Sequence, residues 1–393
     1  MTTPNNNTFA LQAVVFFLVT AAFTTIYITQ PVLPVLRDEF NSDAFTVSLT
    51  VSAVILGIAV ANMPFGTLAD RVPVHRILLV GGIVVCVCSL LAAATYNLWL
   101  MVGVRFVQGL FIPALTTCLA AYLARTLPVE RLNVVMGTYV SATVTGGLGG
   151  RLLGGWLHPP AHWRYAFVTA AVLLFIATVI AAKQLHEDPP HAKHSANPLG
   201  FFQLIAKPEL LRIFIVAFTS FFVFSSVFNY LPFYLSGPPL NVKTEYITAL
   251  YLTYIIGIFM GPLAGGLSNR LGNGLTMAGG AVLFALSLSL SLLPSVFLVA
   301  VSLAGVCAGY FAIHASAIGA LNRKVTSGRG RANATYILFY YVGGSAGITL
   351  CGYAYASGQW PAIVITCLIA LTIPMATGII EHKIERSRLS ANE

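Results

Sequence analysis

The sequence predicts an all-α polytopic membrane protein, with twelve transmembrane helices in two pseudo-symmetric six-helix bundles. Of 393 residues, 57% are hydrophobic and 8% charged, whereas soluble chains carry about 25% charged residues. Such a chain cannot keep a water-facing surface, so most of its exterior must meet lipid. Apolar runs of about 20 residues, the length of a helix that crosses a bilayer, recur along its whole length. The two halves also echo each other at a near-constant spacing, the mark of a duplicated unit.

The first bundle, residues 1–183, takes the runs 11–35, 47–69, 77–94, 98–124, 132–157 and 165–182. In the first run Pro31 and Pro34 lie near the outer end, where they are expected to break the helix and free carbonyls to line a path or form a gate. Asp70 and Arg71 close the second run as a charged helix end, and Arg105 stands inside the fourth. The fifth carries Gly146, Gly150, Gly154 and Gly155 around Arg151, a spacing that lets a neighbouring helix approach closely. This set is expected to form the seam between the halves. After the sixth run, residues 184–209 are rich in His, Pro, Asn and Lys and read as a linker. The second bundle, residues 210–393, takes the runs 211–235, 246–267, 275–293, 296–321, 332–356 and 362–380. There Pro232 is expected to break the first helix, as Pro31 and Pro34 do in the other half.

Charge sets the orientation. With the N-terminus inside, sixteen of the twenty-one Lys and Arg fall in cytoplasmic segments, while Arg37, Arg164 and Lys243 fall outside. Arg105 and Arg151 remain within the membrane. The positive-inside rule then places both termini in the cytoplasm. All six cysteines lie in apolar runs, which predicts free thiols. Residues 1–10 hold no Lys or Arg and lead straight into the first helix, which argues against a cleaved signal peptide. The net charge of +9 is scattered over helix ends, so no nucleic-acid partner is expected. The expected partners are the lipid bilayer and a small-molecule substrate, and the expected state is a monomer.

The repeat can be read residue by residue. Gly66-Thr-Leu-Ala-Asp70-Arg71 returns 199 residues later as Gly265-Gly-Leu-Ser-Asn269-Arg270, Pro34 returns as Pro232, and Gly109 as Gly309. These segments carry a resemblance. The stretch from Gly66 to Arg71, followed by Arg76, resembles the loop motif between spans two and three of the major facilitator superfamily. Arg105-Phe-Val-Gln-Gly109 resembles its span-four motif, and residues 146–155 the span-five motif of its antiporter branch. Residues 309–314 and 340–345 are similar to the YnfM-type subgroup of bacterial drug:proton antiporter-like proteins. The resemblance implies the major facilitator fold, transport by alternating access, and a bacterial inner membrane. It also implies that Gly66, Asp70, Arg71 and Arg76 lock the outward-open state. Three positions depart from the family pattern: Pro73 replaces a glycine, Val74 a base, and Arg151 a proline. In the second copy Asn269 stands in place of the acid.

The chemistry-bearing residues are few. Arg105 lies about 10 Å below the outer surface, where a guanidinium is costly unless it faces the bundle interior or water. The resemblance implies proton transfer or substrate binding. The alternative is a structural arginine tied to backbone carbonyls and Gln108. Arg151 falls at the same depth, and two cations at one level invite an anion. No carboxylate lies mid-membrane, so the proton-coupling candidates are Asp38, Asp70, Arg105 and His314. His314 either exchanges proton for substrate or stays neutral beside Ser316. Tyr27, Gln30, Asn229, Tyr230, Tyr254, Tyr336, Tyr340 and Tyr341, with Arg105 and His314, make the expected cavity wall, suited to planar or amphipathic molecules. Tyrosines near helix ends can instead belong to an interfacial belt.

No phosphate-cradling loop, Cys-x-x-Cys pair or Ser/His/Asp set is present. No enzyme, ATP-driven pump, cofactor or metal is therefore expected, and a proton gradient is the expected driving force. The leading expectation is a secondary active transporter that exports small organic molecules by proton-coupled antiport. One alternative is a carrier of organic anions or metabolites using Arg105 and Arg151. Another is a non-transporting membrane receptor with a closed apolar centre.

Overall fold

The computed structural model describes residues 5–185, 201–325 and 329–390. The chain order begins α1 (Asn5–Thr24), α2 (Leu33–Glu39), α3 (Ala44–Leu68), α4 (Val74–Ala94), α5 (Leu98–Leu115), α6 (Thr117–Thr126), α7 (Val129–Trp156) and α8 (Arg164–Gln184). It continues with α9 (Phe201–Ile205), α10 (Pro208–Ser236), α11 (Thr244–Leu250), α12 (Ile256–Leu271), α13 (Asn273–Leu290), α14 (Val296–Lys324) and α15 (Arg329–Ser390). Among the described residues, nine stretches are long and apolar enough to cross a membrane. The helix α15 spans two of the expected runs, because its backbone turns at Gly358 and at Gln359, the latter with φ of 54°. The runs at 11–35 and 132–157 correspond to α1 with α2 and to α7.

Proline and capping chemistry explain the interruptions. Pro31 and Pro34 divide the first span into α1, a 3-10 turn at Gln30–Val32, and α2. The fourth span is interrupted after Pro113, where α5 gives way to α6 at Thr116. The expected break at Pro232 is absent: α10 runs through it to Ser236. Residues 228–233 are all buried, so packing holds the turns on either side of the missing hydrogen bond. The helix α3 starts where Asp43 accepts bonds from the Thr46 N–H and hydroxyl, both at 2.8 Å. At α5, Asn97 accepts from the Leu100 N–H at 3.0 Å.

The chain forms two compact units. One comprises Met1–His194 with Thr244–Tyr251, the other Ser195–Lys243 with Leu252–Glu393. Residues 186–200 of the expected linker lie outside the described residues. The first unit also takes α11, which the sequence assigned to the second bundle.

Within each unit the same seam recurs. A Cβ added at Gly146, Gly150 or Gly154 of α7 would lie 2.4, 2.2 or 1.9 Å from the carbonyl oxygens of Thr20, Thr24 and Ile28 on the first span. In the second unit, Gly343 and Gly347 of α15 approach the Phe218 and Phe222 carbonyls of α10, where an added Cβ would stand at 2.1 and 2.3 Å. Backbone contact this close admits only glycine. Gly146, Gly150 and Gly154 of span five therefore serve a seam with the first span, which corrects for these three the expected seam between the halves. Only Gly155 faces elsewhere, against Thr248 of α11. The turns after α2 and α10 repeat as well: Asn41 and Asn241, 200 residues apart, have φ of 47° and 46°, a conformation that asparagine tolerates.

Candidate functional site

In the first unit, Arg105 is fully buried. Its Nε donates to the Thr50 carbonyl at 3.0 Å and its Nη1 to the Thr25 carbonyl at 2.6 Å. Nη1 also donates to Gln108 Oε1, and Nη2 to the Ile26 carbonyl. Gln108 is held in turn by the Ser89 hydroxyl at 2.7 Å. Three helices thus converge on one guanidinium, whose planar fork suits several acceptors at once. The carbonyls of Thr25 and Ile26 are available because α1 ends at Thr24, so these two residues lie just past the helix and outside its ladder. This geometry corrects the expectation of an arginine open to a cavity: the site ties the broken first span to α3 and α5.

Arg151 is also buried, on α7. Its guanidinium lies over the Tyr27 ring at 4.1 Å and near the Tyr251 ring at 5.6 Å. Nε donates to Gln30 Oε1 at 2.8 Å and Nη1 to the Gly147 carbonyl at 2.7 Å. The Nε2 of Gln30 and the hydroxyl of Thr29 are buried with no hydrogen-bond partner.

In the second unit, aromatic side chains from α10, α14 and α15 stack around His314. The Phe221 and Tyr340 rings lie 3.8 Å apart, and the Phe224 and Tyr310 rings 3.9 Å apart. Tyr310 donates its hydroxyl to that of Tyr340 at 2.7 Å. The Tyr336 hydroxyl pairs with His314 Nδ1 at 3.0 Å. The partner of His314 is therefore Tyr336 and not Ser316, whose hydroxyl returns to the Ala312 carbonyl at 2.7 Å. Of the expected wall, His314, Tyr340 and Tyr341 keep accessible surface, while Tyr27, Gln30, Asn229, Tyr230, Tyr254 and Tyr336 are enclosed. Tyr230 donates to the Ile348 carbonyl at 2.8 Å, which makes it a packing residue.

The helix ends hold the remaining candidates. Asp70 meets Arg125 at 3.1 Å, and the same guanidinium reaches the Ala69 carbonyl at 2.8 Å. Arg71 and Arg76 are exposed and lie outside that pair. In the second unit Arg323 donates to Asn269 Oδ1 at 3.1 Å. Arg125 and Arg323 were missed in the sequence, although they stand 198 residues apart and so carry the repeat signal. Asp38 pairs with its neighbour Arg37, at 2.8 Å, and is exposed. Beside it, Glu39 accepts from Arg164 at 2.8 Å and from the Trp163 indole. Burial acts to raise the pKa of Glu39. The two hydrogen bonds and the charges of Arg164 and His162 outweigh it and hold the carboxyl below its usual 4.5. Glu381 was also missed: it is buried between Arg212 at 3.2 Å and Lys324 at 2.8 Å.

These features have parallels. The chain matches the Major Facilitator Superfamily over residues 15–274. It is 24% identical over 381 residues to the uncharacterized MFS-type transporter YybF of Bacillus subtilis (strain 168), covering 93% of this chain and 92% of that one. It is 25% identical over 367 residues to the inner membrane transport protein YnfM of Escherichia coli (strain K12), covering 92% and 88%. The fold is similar to that of a bacterial homologue of the human lysosomal transporter Spinster in an inward-facing, unoccupied conformation. That comparison has a TM-score of 0.75 and 17% identity, and covers 97% and 98% of the two chains. Apolar spans, a twin-repeat build and a family match over residues 15–274, well over half of the chain, agree: the chain belongs to the Major Facilitator Superfamily.

Proposed function

We propose that this protein is a proton-driven secondary transporter of a bacterial inner membrane that exports small planar or amphipathic organic molecules. Both termini face the cytoplasm on this reading, as the distribution of bases favours, and the working unit is a monomer. The observation that carries it is the His314 cluster. A half-buried imidazole bonded to Tyr336 stands beside Tyr340 and Tyr341, which also keep open surface. Imidazole is the side chain best suited to proton exchange under physiological conditions, and stacked tyrosines offer dispersion and adaptable hydrogen bonds to a planar guest. Proton and substrate then compete for one place, which is how exchange becomes coupled. Arg105 acts as a positioning residue that holds the first span in its broken form.

A second reading is favoured by Gln30 and Thr29. The unpartnered amide N–H of Gln30, whose Oε1 accepts from Arg151, and the unpartnered hydroxyl of the preceding Thr29 suit an anionic group, and a carrier of organic anions would use them.

Accumulation of a planar aromatic dye in inverted vesicles under an imposed pH gradient tests the first reading. His314→Gln should lower gradient-driven accumulation at least tenfold and leave exchange of labelled for unlabelled dye intact. Accumulation that ignores the gradient in the unaltered protein would overturn it. Preferential loss of anionic substrates in Arg151→Gln would favour the second.

A further inference from the structure

At one end of the second unit, the ends of α12, α13, α14 and α15 enclose a cleft of about 560 Å³. Its two acids are already engaged. Glu381 sits between Arg212 and Lys324, and Glu385 accepts the N–H groups of Asn273 at 3.1 Å and Gly274 at 3.2 Å. Three guanidinium groups of the same wall, those of Arg270, Arg323 and Arg386, are exposed. Among the described residues, no carboxylate lies within ion-pair distance of any of the three.

Two buried polar groups then stand out. Asn273 is 1% exposed and Ser268 is 5% exposed. The Nδ2 of Asn273 and the hydroxyl of Ser268 have no hydrogen-bond partner, and both residues line the cleft. Buried donors left unpaired are costly and rare, so this pair calls for an acceptor from outside the chain. The complementary ligand has several anionic oxygens on one small centre.

We propose that this cleft binds a phosphate group, held by Arg270 and Arg386 and completed by hydrogen bonds from Asn273 Nδ2 and Ser268 once these two buried side chains turn toward it. Planar guanidinium forks match phosphate oxygens, two bonds to a fork. The group has two sources: the head of an anionic phospholipid, or a phosphate compound dissolved in water. Leu271 lines the cleft, with Leu267 a turn before it and Leu275 just beyond Asn273. All three are exposed, and they give an acyl chain a surface to lie on.

The test uses the full-length protein in nanodiscs, read by thermal unfolding, because a ligand held only by the folded state raises the melting point. One arm compares discs of phosphatidylcholine with discs containing phosphatidylglycerol. The other adds inorganic phosphate to phosphatidylcholine discs against chloride of equal ionic strength. The Arg270→Gln/Arg386→Gln variant is compared with Lys383→Gln, a neighbour outside the cleft.

A melting-point rise that the double variant loses by three quarters or more, and Lys383→Gln retains, supports the site. A rise with phosphatidylglycerol alone identifies the lipid head, and a rise with inorganic phosphate as well identifies the free anion. No rise in either arm, or equal loss in both variants, overturns the proposal. The cleft variants lie apart from His314, so their outcome leaves the transport reading unaffected.

Discussion

Arg105 joins three helices through backbone oxygens, and that explains why the position demands arginine and not merely positive charge. Lysine offers donors from a single point and cannot reach the Thr25, Ile26 and Thr50 carbonyls together with Gln108. Arg105→Lys should strand about two acceptors, each costing about 1–3 kcal/mol, and thermal unfolding in detergent should show the loss. The sequence located this arginine and proposed carbonyls and Gln108 as one set of partners. It left the identity of those carbonyls open, because they come from residues about 55 and 80 positions away. The same scale holds a pH prediction. The carboxyl of Glu39 titrates below 4.5 in the folded protein. Its stabilising contribution is therefore complete above that pH and is lost as acidification passes the folded value. A melting curve followed from pH 7 to pH 3 should fall below about pH 4.5, and Glu39→Gln should remove that part of the decline.

At the scale of elements, the glycine pattern in span five was visible and the partner of Gly146, Gly150 and Gly154 was misread. Spacing says that a backbone comes close. It does not say which backbone, and the answer here is the first span of the same unit. The second seam, through Gly343 and Gly347, confirms the assignment by repetition. Gly150→Val would drive its side chain into the Thr24 carbonyl, 2.2 Å from the added Cβ. Overpacking of this kind costs about 1–3 kcal/mol or more, and size-exclusion chromatography should show little monodisperse protein. Prolines were legible in the same partial way. Pro31 and Pro34 interrupt a helix as expected, whereas Pro232 rides inside α10 because every neighbour from 228 to 233 is buried. A proline states where a bond is missing, and packing decides whether the helix stops there.

For the whole molecule, the duplicated plan could be read from one sequence, since apolar runs, glycines and charged ends all return after about 200 residues. The seat of a buried acid such as Glu381 could not. Its burial depends on Arg212 and Lys324 arriving from two other helices. The repeat also conceals a chemical difference at equivalent places. Asp70 with Arg125 is an ion pair, and its side chains are 70% and 25% exposed. Such a pair is worth about 0–1 kcal/mol, so Asp70→Asn should barely move the melting point. It should alter transport turnover in vesicles instead, if the pair closes one end of its bundle during the cycle. In the second half, an amide takes the acid's place opposite Arg323.

The two clasps therefore respond to different surroundings. Dissolved electrolyte shields a carboxylate from a guanidinium over roughly 8–10 Å and does little to an amide. A saltier solution at that helix end would slacken the clasp of one bundle and leave its twin untouched, giving a protein of duplicate design an unequal sensitivity to osmotic conditions. Turnover measured across a series of potassium chloride concentrations should reveal it, and the dependence should flatten once Asp70→Asn makes the halves alike.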